Sequence, residues 1–276
     1  MKQLYVTDLD HTFLHSNQTI SPFSKEIWNE KAENSFLTVA TARGFNKSQE
    51  FLKGLKLDVP LILLDGAMIV DSNKRLIDVK VLGKEISDAI INEGEKFNLS
   101  PFVISLDDHK TLAETFALPP SMGHFQSSLI EKSYSRDPRI KYMKKIEGAK
   151  ETLKIVYMDE EERLRPLYEQ LKKVFGETLE IKLSPENYMN CYFLTILHPL
   201  GDKANGLKII YDYLDIPFKS TTVFGDGLND IEMFKLAGTS VAVSNALDSV
   251  KQQASIISSF SNDEDAVAKY LQEIRG

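Results

Sequence analysis

The chain has 276 residues and 42% hydrophobic content, enough to fill a sizeable core as one large or two ordinary domains. Its 40 acidic against 33 basic residues give a formal charge of −7, which argues against a nucleic-acid or anionic-membrane partner, since both require a basic face. One cysteine, Cys191, leaves no internal disulfide, and no apolar run approaches the roughly 18 residues of a membrane span. The expectation is a cytoplasmic protein that opens on a strand instead of a signal peptide.

Leu4, Tyr5 and Val6 are residues that suit a buried strand, and the run stops at Asp8-Leu-Asp10-His-Thr12. In open α/β sheets ligands collect at the carboxyl ends of the strands, where Asp8 and Asp10, two apart on an extended chain, would share a face. Ser21-Pro22 has the form of a helix N-cap followed by proline at the first helical position, opening a helix to about residue 33. A second strand is expected over 36–41, with Ala42-Arg43-Gly44 as the loop after it, and the crossover implied by strand, helix, strand puts Thr41 at the same sheet edge as Asp8. A helix over about 46–55 then leads to a strand at 61–64, a turn at Asp65-Gly66 and a β-like segment at 68–70.

Beyond Val81 the texture changes. Helical spacing over 83–98 is followed by a hairpin from 102–106 and 111–116, then strand 153–158, helix 161–175 and strands 179–183 and 189–197, the pattern of a small α+β unit. The α/β pattern returns with a helix over 203–214, a strand at 222–224, the loop Gly225-Asp-Gly-Leu-Asn-Asp230, a further helix, a strand at 240–243 and a last helix over 263–274. The reading is a Rossmann-like, doubly wound parallel-sheet α/β core, residues 1–82 and 191–276, interrupted by an α+β insertion at 83–190.

Asp226 and Asp230, four apart at a strand-to-helix junction, suit Mg²⁺, which takes a few carboxylates, waters and substrate oxygens. Alone, the same loop is also an ordinary turn with Asn229 or Asp230 capping the helix, and Lys203 alone is a surface lysine. In combination, Asp8-Leu-Asp-His-Thr12, Ala40-Thr-Ala-Arg43, Asp202-Lys-Ala-Asn-Gly206 and Gly225 to Asp230 resemble, in order, the four motifs of the haloacid dehalogenase superfamily of phosphohydrolases. The insertion is similar to the large cap of its Cof-type subfamily. Three residues depart from the family pattern: His11 and Ala42 stand where Gly is usual, and Asp65 where Asn is.

The resemblance implies a Mg²⁺-dependent phosphatase in which Asp8 is the nucleophile, forming an aspartyl-phosphate, and Asp10 is the general acid and base. It implies metal binding by Asp8, Asp226 and the Asp10 carbonyl with Asp230 in support, phosphate binding by Thr41 and Lys203, and substrate contacts by Asn229 and Arg43. A cap that closes over the site favours small phosphorylated metabolites, sugar phosphates first, handled by a monomer or weak homo-oligomer. A phosphomutase or phosphotransferase with the same intermediate, and a non-catalytic phosphate-binding or regulatory protein, are the alternatives.

Overall fold

The computed structural model describes residues 2–186 and 188–274, and the chain divides into two compact units, residues 1–78 with 202–276, and residues 79–201. In the first unit a five-stranded parallel sheet runs in the order Ile256–Ile257, Thr239–Ala242, Thr221–Gly225, Leu4–Thr7, Phe36–Val39. A parallel bridge between Ala40 and Ile62 carries the sheet on to Leu61–Leu63. Parallel strands are covered on both faces and so read as near-continuous apolar runs, as Leu4–Thr7, with every residue buried, does here. Leu4, Val6, Val223, Ile62, Leu207 and Ile210 meet in one core between sheet and helices.

Register decides where the polar loops fall. Thr7 pairs with Phe224 on one side and Val39 on the other, so Asp8, the segment after Gly225 and Thr41 all leave the sheet at one edge. The helices begin on caps that the sequence announces. Ser21 Oγ accepts the Ser24 N–H at 2.9 Å ahead of helix Pro22–Lys31, and Asp202 accepts the Asn205 N–H at 2.8 Å at the start of Lys203–Leu214. Lys203 therefore stands at the first position of its helix, beside the strand ends.

The second unit is a six-stranded sheet ordered Glu180–Glu186, Cys191–Leu197, Thr152–Asp159, Phe102–Asp108, Ala113–Leu118, Ile140–Tyr142. Alternation along the strands gives it two apolar faces. Ile155, Tyr157, Leu194 and Ile196 pack with Leu164, Leu167 and Leu171 of helix Glu161–Phe175, and Phe102, Phe116, Leu118 and Met158 pack with Ile130.

Four expectations need correction. The unit boundary falls at 201/202 instead of 190/191, because strand Cys191–Leu197 pairs on both sides with strands of the second unit. Likewise the segment before Val81 ends in strand Leu76–Val79, and the second unit begins at 79. Helix His124–Leu129 and strand Ile140–Tyr142 lie where the sequence gives no periodic signal, since six and three residues are too short to establish one. The last helix runs Ala266–Glu273 and not from 263, because Asp265 adopts a left-handed φ of 59° that separates it from the single turn Asn262–Glu264.

Candidate active site

Strand Leu4–Thr7 delivers Asp8 to the sheet edge, where its N–H still continues the ladder to the Phe224 carbonyl at 3.0 Å. The chain then turns sharply. Asp10 is extended (φ −69°, ψ 132°), His11 is left-handed (φ 56°, ψ 9°), and the Leu14 N–H closes the loop on the Leu9 carbonyl at 2.8 Å. A left-handed residue bearing a Cβ costs roughly 1 kcal/mol, a cost that glycine would not carry.

Lys203, fully buried, donates Nζ to Asp8 Oδ1 at 2.5 Å and to Asp230 Oδ1 at 2.7 Å. Asp230 is equally buried, and its other oxygen accepts the N–H groups of Asp226 and Gly227, each at 3.0 Å. Gly225 is required here by space: a Cβ on it would stand 2.5 Å from the Asp230 carboxylate. Asp226 Oδ1 accepts the Thr12 hydroxyl at 2.8 Å. Thr12 closes the first motif, and its part in holding the fourth is invisible until the fold brings residues 12 and 226 together.

Carboxylate oxygens of Asp8, Asp226 and Asp230 lie within 4.8 Å of one another. Burial first, then repulsion from Asp230, pushes Asp226 up to about 7, against the opposing pull of the Thr12 hydrogen bond and Lys203. Burial raises Asp8 as well, with Asp230, Asp226 and Asp10 adding to it and Lys203 opposing. Lys203 moves the other way: burial pulls it down, but Asp230, Asp8 and Asp65 outweigh this and hold it protonated. With three carboxylates around one ammonium, ionising all of them leaves more negative charge than Lys203 balances. Hard oxygen donors with surplus negative charge fit a hard divalent cation such as Mg²⁺.

The Asp10 side chain is engaged elsewhere. Arg43 grips it through Nε at 2.7 Å and Nη2 at 2.5 Å, and the guanidinium stacks 4.4 Å from the centre of the Phe51 ring. Thr41 is fully buried, and its hydroxyl accepts the Arg43 N–H at 3.1 Å. Asn229 donates Nδ2 to Asp65 Oδ1 at 2.9 Å. Asp65 sits at φ 61°, a conformation that Asn and Asp tolerate better than most residues. Behind it Gly66, at φ 113°, lets the loop press on the cap of the lysine helix, since a Cβ there would meet the Asp202 carbonyl oxygen at 2.0 Å.

Asp8, Lys203, Asp226 and Asp230 thus meet in one cluster, with Asp10 and Arg43 forming a bidentate pair and Asn229 tied to Asp65. In the second unit, His109 pairs with Glu151 at 2.5 Å, which explains it as an ion-pair partner in a partly exposed turn. Lys154 is buried on strand Thr152–Asp159.

Residues 5–271 match the haloacid dehalogenase-like hydrolase family. Among curated relatives, a putative phosphatase of Buchnera aphidicola is 26% identical over 99% of this chain and 98% of its own. The 5-amino-6-(5-phospho-D-ribitylamino)uracil phosphatase YitU of Bacillus subtilis is 25% identical over 98% of this chain and 96% of its own. Among solved structures, a haloacid dehalogenase-like hydrolase of Bacteroides thetaiotaomicron superposes with a TM-score of 0.80 over 99% of this chain and 100% of its own, at 21% identity.

Proposed function

The chain belongs to the haloacid dehalogenase-like hydrolase family and is a phosphatase, and from that premise we propose that it hydrolyses small phosphorylated metabolites with Mg²⁺ through a phosphoryl group carried on Asp8. The observation that supports this best is the buried cluster itself, three carboxylates around Lys203 at the carboxyl edge of a parallel sheet. Asp8, Asp226 and the Asp10 carbonyl would hold the metal, with Asp230 in support. When bound, Mg²⁺ neutralises the phosphate dianion and keeps the nearby carboxylates ionised at neutral pH.

The Asp8 carboxylate attacks phosphorus and the substrate alkoxide departs, taking a proton from Asp10. Water, giving its proton to Asp10, then attacks the same phosphorus and frees Asp8. Two easier displacements replace one hard one. Arg43 fixes the Asp10 carboxylate through two parallel hydrogen bonds, which orient it for the step in which it takes the proton of water. Thr41 and Lys203 bind the transferring phosphoryl group, Lys203 as a compact charge whose protonation its anionic surroundings secure. Asn229, oriented by Asp65, and Arg43 contact the substrate.

The substrate class rests on the relatives. The substrate for which the Bacillus subtilis relative is named carries its phosphate on a ribityl chain, a polyol, which supports phosphorylated sugars and sugar alcohols as the class to test first. No helix among the described residues is long and apolar enough to cross a membrane, in keeping with a freely diffusing substrate and a cytoplasmic site of action. Phosphate release from a panel of sugar phosphates, nucleotides and phosphorylated cofactors, with Mg²⁺ and with chelator, tests the proposal. Mg²⁺-dependent release that Asp8→Asn abolishes supports it; substantial release by a folded Asp8→Asn protein overturns the covalent route.

A further inference from the structure

We propose that Asn245 and Asn262 are positioning residues that clamp the loop after Asp8 in the left-handed conformation its chemistry needs; this rests on the reading of Asp8 and Asp10 given above. The loop is conformationally costly at His11, whose Cβ is disfavoured at φ 56°, while Asp10 immediately before it is extended. Such a turn persists only where its surroundings hold it. The hold comes from one C-terminal stretch of the chain, far from the motifs in sequence.

Asn245 donates Nδ2 to the His11 carbonyl at 2.8 Å. Its Oδ1 accepts the Asn262 backbone N–H at 2.9 Å, which fixes the end of the amide that faces the loop. Asn262, 3% exposed, donates Nδ2 to the Leu14 carbonyl at 2.9 Å, and Leu14 is the residue whose N–H closes the loop. Just beyond, Ser16 donates its N–H and its hydroxyl to Asp263, both at 2.7 Å, and the His15 ring pairs with Asp265 at 2.9 Å. Four points of the segment from His11 to Ser16 are thereby tied to residues 245–265.

Loss of the bond to the His11 carbonyl lets His11 relax out of the left-handed region. That rotation turns the peptide that carries Asp10 and disturbs its alignment on Arg43. Thr41 and Lys203 are not on this loop, so their phosphate contacts are spared; the Asp10 carbonyl turns with it, so at saturating Mg²⁺ the chemical step bears the loss. A pair of hydrogen bonds that served only general stability would not divide the effect in this way.

The test is Asn245→Ala and Asn262→Ala, each in the wild-type chain and in a His11→Gly background, assayed with Mg²⁺ and an aryl phosphate. In the wild-type background kcat is expected to fall about three- to tenfold while KM changes less than about twofold. Glycine holds φ 56° without a Cβ, so His11→Gly is expected to recover most of the Asn245→Ala loss. Amide hydrogen exchange over residues 9–16 is expected to quicken in both asparagine variants with the parallel strands unchanged. An equal loss in both backgrounds, a loss confined to KM, or unchanged exchange over 9–16 overturns the proposal. If Asn262→Ala fails to fold, the exposed Asn245 carries the test alone. A wild-type protein that releases no phosphate refutes the functional reading, and the exchange measurement still decides the clamp.

Discussion

Each unit of the molecule buries charge around a single cation, and the two clusters are put together differently. In residues 79–201, Arg139 holds Asp137 through Nε at 2.9 Å and Nη2 at 2.6 Å and holds the fully buried Glu114 through Nη1. Arg139 precedes strand Ile140–Tyr142, and Glu114 lies on its parallel neighbour Ala113–Leu118, so these charges stitch an edge strand to its sheet. In the other unit, Lys203 faces Asp8 and Asp230 with Asp226 beside them, on loops that leave the strand ends where Gly225 makes room. Burial of charge is common to both. What marks the second as a site is three carboxylates around one ammonium, two of them raised by burial first and by one another, placed where a parallel sheet presents its loops.

If that distinction is right, substitutions in the two clusters part company between activity and stability. Asp8→Asn carries the largest effect, a fall in phosphate release of at least about 10³-fold, with a thermal midpoint within roughly 4 °C of wild type. Chelation of Mg²⁺ should take the wild-type protein to the same background rate, with full recovery on adding the metal back; release that survives exhaustive chelation breaks the surplus-charge argument. Lys203→Met is expected to lower kcat by about 10²-fold or more, since it removes a preorganised charge from the transferring phosphoryl group.

Arg139→Met inverts the pattern. It leaves Glu114 buried without its cation and should cost about 3 kcal/mol in urea unfolding, while kcat per folded molecule changes less than about threefold. A loss of turnover with unchanged stability would erase the contrast between the clusters.

The smallest effect belongs to Asp265, at the C-terminal end of the loop clamp. Burial raises its carboxyl, but hydrogen bonds from Ser21, Ser24 and His15 outweigh this and hold it below the usual range. A depressed folded-state value stabilises above the unfolded value near 3.9 and is lost as pH falls through the folded one. Asp265→Asn should therefore cost about 1 kcal/mol at pH 7, in a gap from wild type that closes below about pH 4.

The parallel core was legible because its strands are continuous apolar runs and its helices open on caps such as Ser21-Pro22 and Asp202. Lys203 and the Asp226–Asp230 loop say little alone, and their gathering with Asp8 was legible only from the four motifs taken together. What sequence does not carry is pairing across distance. Nothing local in Thr12 points to Asp226, in Asp65 to Asn229, or in Asn245 to the His11 carbonyl. The end of the insertion was misplaced for the same reason: strand Cys191–Leu197 is apolar like its successors, and only its ladders assign it to the second unit.

The most direct test of the covalent account is to quench the enzyme in acid during turnover of a phosphomonoester with Mg²⁺ and map the phosphoryl group by peptide mass. The account predicts one hydroxylamine-labile phosphoryl group on the peptide that contains Asp8, absent from Asp8→Asn. Phosphorylation of a different residue, or steady turnover by Asp8→Asn, would contradict it.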